Sequence, residues 1–151
     1  MSYDAYVVAI QLLLKECQAG RPSHERVLVV SRTPECLIEC GFSQLPLVVT
    51  GKVVDKAHFD HGVTKGVLER LPLLVENPRA IYASASQELA AVVVTLEVKG
   101  GNNIVVPVHR DRQVGRHPAR FNVIASVYDK RAEVEAGLRS KGLLLWEKPK
   151  K

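Results

Sequence analysis

Residues Ala90–His109, with the sequence AAVVVTLEVKGGNNIVVPVH, predict a β-hairpin and with it the class of the fold. Two β-branched runs, Ala90–Lys99 and Asn103–His109, flank the turn Gly100–Asn102, whose composition is a strong signal for a tight hairpin. The run Val92–Leu96 is almost continuously apolar, so we expect this strand to lie in the middle of a sheet. The stretch therefore predicts an antiparallel sheet.

The segments around this hairpin supply more strands and several helices. Strand-like composition occurs at Arg26–Ser31, Leu45–Thr50, Arg79–Ala83, Arg120–Val127 and Gly142–Trp146. Helical patterns occur at Met1–Gly20, Thr33–Gly41, Val53–His61, Thr64–Val75 and Lys130–Ser140. We expect an α+β fold, with N-terminal helices followed by a central antiparallel β-sheet and the helices gathered on one face. A single domain over 1–151 would then have an N-terminal helix at 1–20 and a basic tail at 147–151.

The composition is that of a chain with one substantial core and no export signal. Of the 151 residues, 46% are apolar, which is enough for one domain. No apolar run has the length of a membrane span. The three cysteines, Cys17, Cys36 and Cys40, indicate reduced thiols and a cytoplasmic location, in the producing or the target cell. The scattered acidic residues lack the spacing of metal ligands, and we expect neither a metal nor another cofactor.

The net charge of +5 is concentrated in one stretch. Six basic or imidazole side chains fall within a dozen residues: His109, Arg110, Arg112, Arg116, His117 and Arg120. A solvated basic loop explains this pattern, and so does a patch that follows the phosphates of a nucleic acid. The sequence leaves both interpretations open.

A second cationic segment, Lys52–Pro78, has the sequence KVVDKAHFDHGVTKGVLERLPLLVENP. If Val53–His61 is helical, His58 and His61 are three residues apart and share a face. Gly62 is a permissive helix end, and Thr64 can cap the next helix. Pro72 predicts that this next segment is two short helices, the second beginning near the proline.

Polar residues also alternate along the predicted strand Arg120–Val127 and just beyond it. Asn122, Ser126 and Tyr128 are separated by even numbers of residues, so we expect all three to face one way. Such a row is either the solvated side of a sheet or the floor of a substrate site.

These pieces occur in an order that resembles a known family. The ordered set is Thr33-Pro34, Lys56, His61-Gly62, Leu71-Pro72, Asn77-Pro78, Ser84, the hairpin VVVTLEV–GGNN–IVVPVH, Asn122-x-Ile124-x-Ser126-Val127-Tyr128 and Gly142–Trp146. Over 27–146 the chain resembles the C-terminal domain of phage MuF-type head-morphogenesis proteins. That family is placed with the barnase–EndoU–colicin–RelE-like nucleases, so the resemblance implies that fold and a ribonuclease toxin.

The resemblance implies a catalytic set of His61, Lys56, Ser84, Ser126 and Tyr128. Imidazole titrates near neutrality, so His61 is the candidate base or acid, while Lys56 would stabilise the phosphate charge. Ser84 and Ser126 can donate hydrogen bonds to a phosphate, and Tyr128 can act as an acid or stack on a base. The candidate substrate-binding residues are His58, in a supporting role, Asn122, Arg116 and Arg120. We expect the five residues of the catalytic set to converge within about 10 Å.

Three functional hypotheses follow. The first is a metal-independent ribonuclease-like toxin domain of phage or mobile-element origin, which cleaves RNA through attack by the 2′-hydroxyl. Its partners would be RNA, such as tRNA or another structured RNA, and an immunity or antitoxin protein. The second is a non-catalytic phage protein that binds nucleic acid or protein on the same fold. The third is a different enzyme on this scaffold, acting on a nucleotide-like phosphate.

Overall fold

The computed structural model describes residues 3–149. The helices are α1 (Tyr3–Gln18), α2 (Glu35–Glu39), α3 (Gly51–Asp55), a π-helix (Lys56–Asp60), α4 (Lys65–Glu69), α5 (Leu71–Glu76) and α6 (Ala132–Ser140). The strands are β1 (Val27–Arg32), β2 (Pro46–Thr50), β3 (Ala80–Ala83), β4 (Ala90–Lys99), β5 (Asn102–Gln113), β6 (Arg120–Ile124), β7 (Tyr128–Lys130) and β8 (Leu144–Glu147). The predicted α+β fold, with one domain and a mostly antiparallel sheet after an N-terminal helix, is confirmed.

Within residues 3–149 the strands form one eight-stranded sheet in the order β1-β2-β6-β5-β4-β3-β8, and β7 pairs with β5. The pairing of β2 with β6 is parallel, and the other pairings of these strands are antiparallel. The hairpin β4–β5 turns where the sequence predicts. Gly100 and Gly101 have φ angles of 57° and 83°, the positive values that a two-residue turn of type I′ needs.

The larger core lies on what we call the first face of the sheet, which α1 to α5 cover. Strand residues that point to this face include Ile81, Val93, Val106 and Val108, packed with apolar residues of the helices. The buried Tyr6 hydroxyl also donates to the backbone oxygen of Leu68 at 2.8 Å, joining α1 to α4. None of the helices in residues 3–149 has the length and apolar composition that crossing a membrane requires.

The second face of the sheet has a smaller core beneath α6. Leu138 of α6 packs with Tyr82, Val92, Val94 and Val105, which alternate along their strands with the residues of the first face. The prediction that the helices gather on one face is therefore wrong for α6. The reason is that β3, β4 and β5 carry apolar side chains on both faces, so both faces must be buried against other elements.

The predicted continuous strand Arg120–Val127 is also wrong. The structure ends β6 at Ile124 and starts β7 at Tyr128. Ile124 pairs with Val108 and Tyr128 with Val105, so the chain advances four residues while β5 advances three. The one extra residue interrupts the ladder and reverses which face the next side chains occupy.

Candidate functional site

His61 lies at the end of the π-helix, on a loop that apolar residues hold in place. The π-helix follows α3 directly, and the His61 amide donates to the Lys56 carbonyl at 3.0 Å, an i→i−5 hydrogen bond. Gly62, with φ 67°, then reverses the chain. Ala57 and Val63 on either side are fully buried, whereas His61 is partly exposed. This geometry presents an imidazole to solvent from a wide helical turn, a feature that is frequent at functional sites.

The ring of His61 contacts the ring of Tyr128, although the two residues are far apart in sequence. Their centroids are 5.8 Å apart and the ring planes are tilted by 49°. Tyr128 is partly exposed and opens β7, opposite Val105 of β5. The contact places a group that can accept or donate a proton beside a phenol that can donate one.

Two lysines surround this pair of rings. The ammonium of Lys130 lies 5.8 Å from the centroid of the Tyr128 ring. Lys99, just before the β4–β5 turn, reaches the His61 loop, because a Cβ atom at Gly62 would meet its Cε at 3.4 Å and its Nζ at 3.7 Å. We call His61, Lys99, Tyr128, Asp129 and Lys130 the His61 cluster.

Asp129 holds Lys99 in position within this cluster. Its carboxylate lies 3.7 Å from the Lys99 ammonium and accepts a hydrogen bond of 3.2 Å from Asn102 of the turn. The Asn102 hydrogen bond, with the positive charge of Lys99, lowers the pKa of Asp129 from its ordinary value. Sequence analysis missed both lysines, because Lys99 reaches the His61 loop and Lys130 reaches Tyr128 only in the folded chain.

Lys56 and His58 lie on the π-helix next to His61. Lys56 is exposed, and its carbonyl binds the His61 amide, so the two residues are one turn apart. His58 is turned toward the protein: its Nδ1 lies 2.8 Å from the Val63 oxygen and its ring meets Phe59 edge-on at 4.7 Å. This contact braces the loop, which fits the supporting role expected of His58.

Ser84 does not join the His61 cluster. It follows β3, and β3 and β7 are separated by β4 and β5, which is about 14 Å across the sheet. Its hydroxyl accepts the backbone N–H groups of Ser86 at 3.3 Å and Gln87 at 3.0 Å, as a serine that shapes a turn does. The predicted convergence therefore fails for Ser84. Ser126 is partly exposed two residues before Tyr128 and stays a candidate.

Asn122 is buried on the first face, not aligned with Tyr128. Its side chain is 0% exposed, and its amide nitrogen donates to the Thr33 hydroxyl at 2.8 Å and the Ser43 carbonyl at 2.9 Å. Its amide oxygen accepts the Asp111 N–H at 3.0 Å. These bonds occupy the side chain, so the prediction that Asn122 faces the same way as Tyr128 is wrong. The extra residue between β6 and β7 is the cause.

Arg116 and Arg120 lie on a long extension of β5 and β6, away from His61. We call residues 110–120 the basic hairpin. It projects past β4, whose pairing with β5 ends at Ala90 and His109. Its distance from Tyr128 along β5 is about 20 Å or more, at about 3.3 Å per residue. Both arginines are exposed, and Arg120 is ion-paired with Asp111 at 2.9 Å. Their role in binding substrate stays a prediction, at a surface apart from His61.

Two other features lie outside the His61 cluster. A cavity of about 480 Å³ opens beside β1, and it is lined by Val29, Ser31, Arg32, Thr33, Glu35, Ile38, Gln44, Leu45 and Pro46.

Burial raises the pKa of the Cys36 thiol to about 11, which keeps it protonated and unreactive. Across residues 3–149, no group of three or more histidine, cysteine or acidic side chains is arranged to hold a metal ion.

Comparison with known proteins gives one match. A family model described as Phage MuF-C-terminal domain matches residues 52–151, which include the π-helix, the His61 cluster and the basic hairpin. No curated protein and no solved structure matches the chain.

Proposed function

Because the chain belongs to the phage MuF C-terminal domain family, we propose that it is a ribonuclease-like toxin domain of phage or mobile-element origin that cleaves RNA without a metal ion. The observation that carries this proposal is the contact between the rings of His61 and Tyr128 at 5.8 Å. Two proton-transfer groups, both accessible and both flanked by lysines, are what cleavage of RNA by its own 2′-hydroxyl needs.

In the proposed reaction, His61 takes the proton of the ribose 2′-hydroxyl. The freed oxygen attacks the adjacent phosphorus, and the bond from phosphorus to the 5′-oxygen of the next nucleotide breaks. Tyr128 donates its phenolic proton to that leaving oxygen. The products are a cyclic 2′,3′-phosphate and a free 5′-hydroxyl, and the proton held by His61 returns to Tyr128 through solvent. Each transfer is of the general acid–base kind.

The cations around the two rings would stabilise the charge that develops on the phosphate. Lys99 is restrained by Asp129, and Lys130 lies over the Tyr128 ring, so both ammonium groups are positioned before substrate binds. Exposed Lys56 can approach from the π-helix, and Ser126 can donate its hydroxyl proton to a phosphate oxygen. Ser84, which shapes its own turn, has no part in this mechanism.

The test is cleavage of structured RNA such as tRNA by the purified chain, beside DNA of the same sequence and with EDTA present. We expect RNA to be cut, DNA to survive and EDTA to have no effect. His61→Ala should lose about 10²–10⁴-fold in rate, the usual contribution of a general acid or base. Tyr128→Phe should lose activity as well, while it keeps the packing of the ring.

The matched control is His24→Ala, which removes an exposed histidine bound to Asp55 of α3 at 2.5 Å and should keep the wild-type rate. Cleavage that is unchanged in His61→Ala, or that EDTA abolishes, would contradict the mechanism. A toxin domain also requires an immunity or antitoxin protein in the cell that makes it. Induction without such a protein should stop growth in the wild type and not in His61→Ala.

A second candidate function is non-catalytic binding of nucleic acid on the same fold. The separation of the basic hairpin from His61 favours it, because the four arginines of the hairpin are not at the catalytic pair. Salt-dependent RNA binding by a preparation that cleaves no RNA would support this alternative and end the catalytic proposal.

A further inference from the structure

One row of side chains on the second face connects Tyr128 to the basic hairpin. Tyr128 lies opposite Val105 of β5, and residues two and four positions later on that strand, Pro107 and His109, point to the same face. His109 lies opposite Val123 of β6, which extends the face across the neighbouring strand.

The row continues onto the basic hairpin despite a β-bulge. Arg110 and Asp111 together face a single residue of β6, and the ladder resumes with Arg112 opposite Phe121. Phe121 is two residues from Val123, so Arg112 returns to the second face. The ring of His117 at the hairpin tip packs on Phe121 at 5.1 Å, so the tip folds toward this face too.

We call the row from Tyr128 through Pro107 and His109 to Arg112 the strip, and this part of the sheet is open to solvent. α6 covers the part of the second face around Val92, Val94 and Val105, where Leu138 packs. Beyond that cover, the side chains of Pro107, His109 and Val123 are partly exposed. The strip is therefore accessible between the catalytic pair and the hairpin.

Positive charge at the far end of the strip is available to a ligand. The Arg110 guanidinium donates hydrogen bonds to the carbonyls of Cys40 and Gly41, and Arg120 is ion-paired with Asp111. Arg112 and Arg116, in contrast, make no ion pair with any acidic side chain in residues 3–149. Both are exposed.

We propose that this strip binds a single-stranded RNA segment, with its phosphates on Arg112 and Arg116 and its scissile bond at His61 and Tyr128. The inference rests on the proposed function and adds a substrate class to it. From Val105 to Arg112 the distance is about 20 Å, which a stacked strand covers with about six nucleotides at about 3.4 Å each. The substrate is then an unpaired loop or end of that length.

The chemistry of the strip favours a nucleic acid over an acidic peptide. The phenol of Tyr128 and the imidazole of His109 share one face with the guanidinium group of Arg112, and the imidazole of His117 packs on Phe121 of that face. Rings stack on bases and guanidinium groups bind phosphates, the combination that single-strand binding proteins use. An acidic peptide would use the arginines and leave the rings without a partner.

The experiment measures both binding and cleavage as RNA length increases. His61→Ala protein, which should cut far more slowly than the wild type, is titrated into fluorescein-labelled unstructured RNA of roughly two to twelve nucleotides. We expect the dissociation constant to fall with length up to about six nucleotides and then to level off. Wild-type kcat/KM should follow the same length dependence.

Arg112→Gln and Arg116→Gln test the far end of the strip. Each should weaken binding of the longer RNAs and flatten the dependence of log Kd on log salt by about 0.7, the value for one phosphate contact on a single strand. Each should lower kcat/KM more on the longer RNAs than on a dinucleotide, which is too short to reach the far end of the strip. The control Arg21→Gln removes an exposed arginine after α1 and should change none of these quantities.

The outcomes separate this inference from the proposed function. Cleavage that is independent of RNA length, or indifferent to Arg112→Gln and Arg116→Gln, would overturn the RNA strip and leave the ribonuclease proposal in place. Displacement of the labelled RNA by polyglutamate at equal concentration would also overturn it, in favour of a protein partner. Length-dependent binding without any cleavage would support the strip and reject the catalytic proposal.

Discussion

At the scale of single residues, the environment of His109 on β5 changes how readily its ring is protonated. It is partly buried between its neighbours on β4 and β6, Ala90 and Val123. This burial, followed by the positive charge of Arg112, lowers the pKa of His109 from its ordinary value. The residue therefore stands in the strip as a neutral ring, suited to stacking and hydrogen bonding.

The lowered pKa predicts how stability depends on pH. Below about pH 6.5 His109 is protonated in the unfolded chain, whereas in the folded chain its lowered pKa opposes protonation. The free energy of unfolding therefore decreases as the pH falls through that value. His109→Gln should therefore show a smaller drop in Tm between about pH 7.5 and about pH 5.5 than the wild type. Arg112→Gln should reduce this drop in Tm partly, because the positive charge of Arg112 is the second cause of the lowered pKa of His109. An unchanged pH dependence in both variants would contradict this account.

At the scale of elements, the His61 loop depends on the two helices between which it lies. Thr50 caps α3 by accepting the Val53 N–H at 3.4 Å, and Thr64 caps α4 by accepting the Val67 N–H at 3.3 Å. Each cap satisfies a donor that the first helical turn leaves free. The π-helix and His61 are therefore bounded by two short, capped helices.

Thr64→Ala should lower the free energy of unfolding by about 1 kcal/mol, because it removes the cap of a helix of only one and a half turns. Thr64→Ser keeps the hydroxyl and should restore most of that loss. Urea denaturation measures both, and the slope with denaturant should stay unchanged. If the alanine and serine variants unfold at the same urea concentration, the hydroxyl has no capping role.

At the scale of the whole molecule, Asn122 connects segments that are distant in sequence. Its amide binds Thr33 before α2, Ser43 before β2 and Asp111 in the bulge of β5. Because the Asn122 side chain is fully buried, water cannot take its place as the hydrogen-bond partner of these groups.

Asn122→Ala should therefore cost about 2–3 kcal/mol in unfolding free energy, because it leaves buried polar groups without partners. RNA binding measured well below Tm should be unchanged, since the side chain does not reach the second face. Asn103→Ala, which removes one amide hydrogen bond to Thr95 from a partly exposed position, should cost less. A weakened Kd with wild-type stability would return Asn122 to the substrate site.

Local sequence was sufficient for much of the fold. The glycine pair after β4, the cap at Thr64 and the proline that starts α5 each act through the backbone of their own few residues, and the structure has all three as predicted. The boundaries of β4 agree with the prediction residue for residue. Likewise, His61 was a candidate from the chemistry of imidazole, together with the family resemblance.

The arrangement of the site needed the tertiary structure. One extra residue between β6 and β7 separates Asn122 from Tyr128, and the pairing of β7 with β5 brings Tyr128 and Lys130 to a loop more than sixty residues earlier. Ser84 lies apart from them for a related reason, since β4 and β5 come between β3 and β7. The physical reason is that side-chain alternation predicts which residues share a face only while the hydrogen-bond ladder of a strand is regular. A bulge interrupts that ladder, and its position depends on the pairing with the neighbouring strand. Sequence thus determined the elements and the chemical groups, whereas strand pairing decided which groups meet.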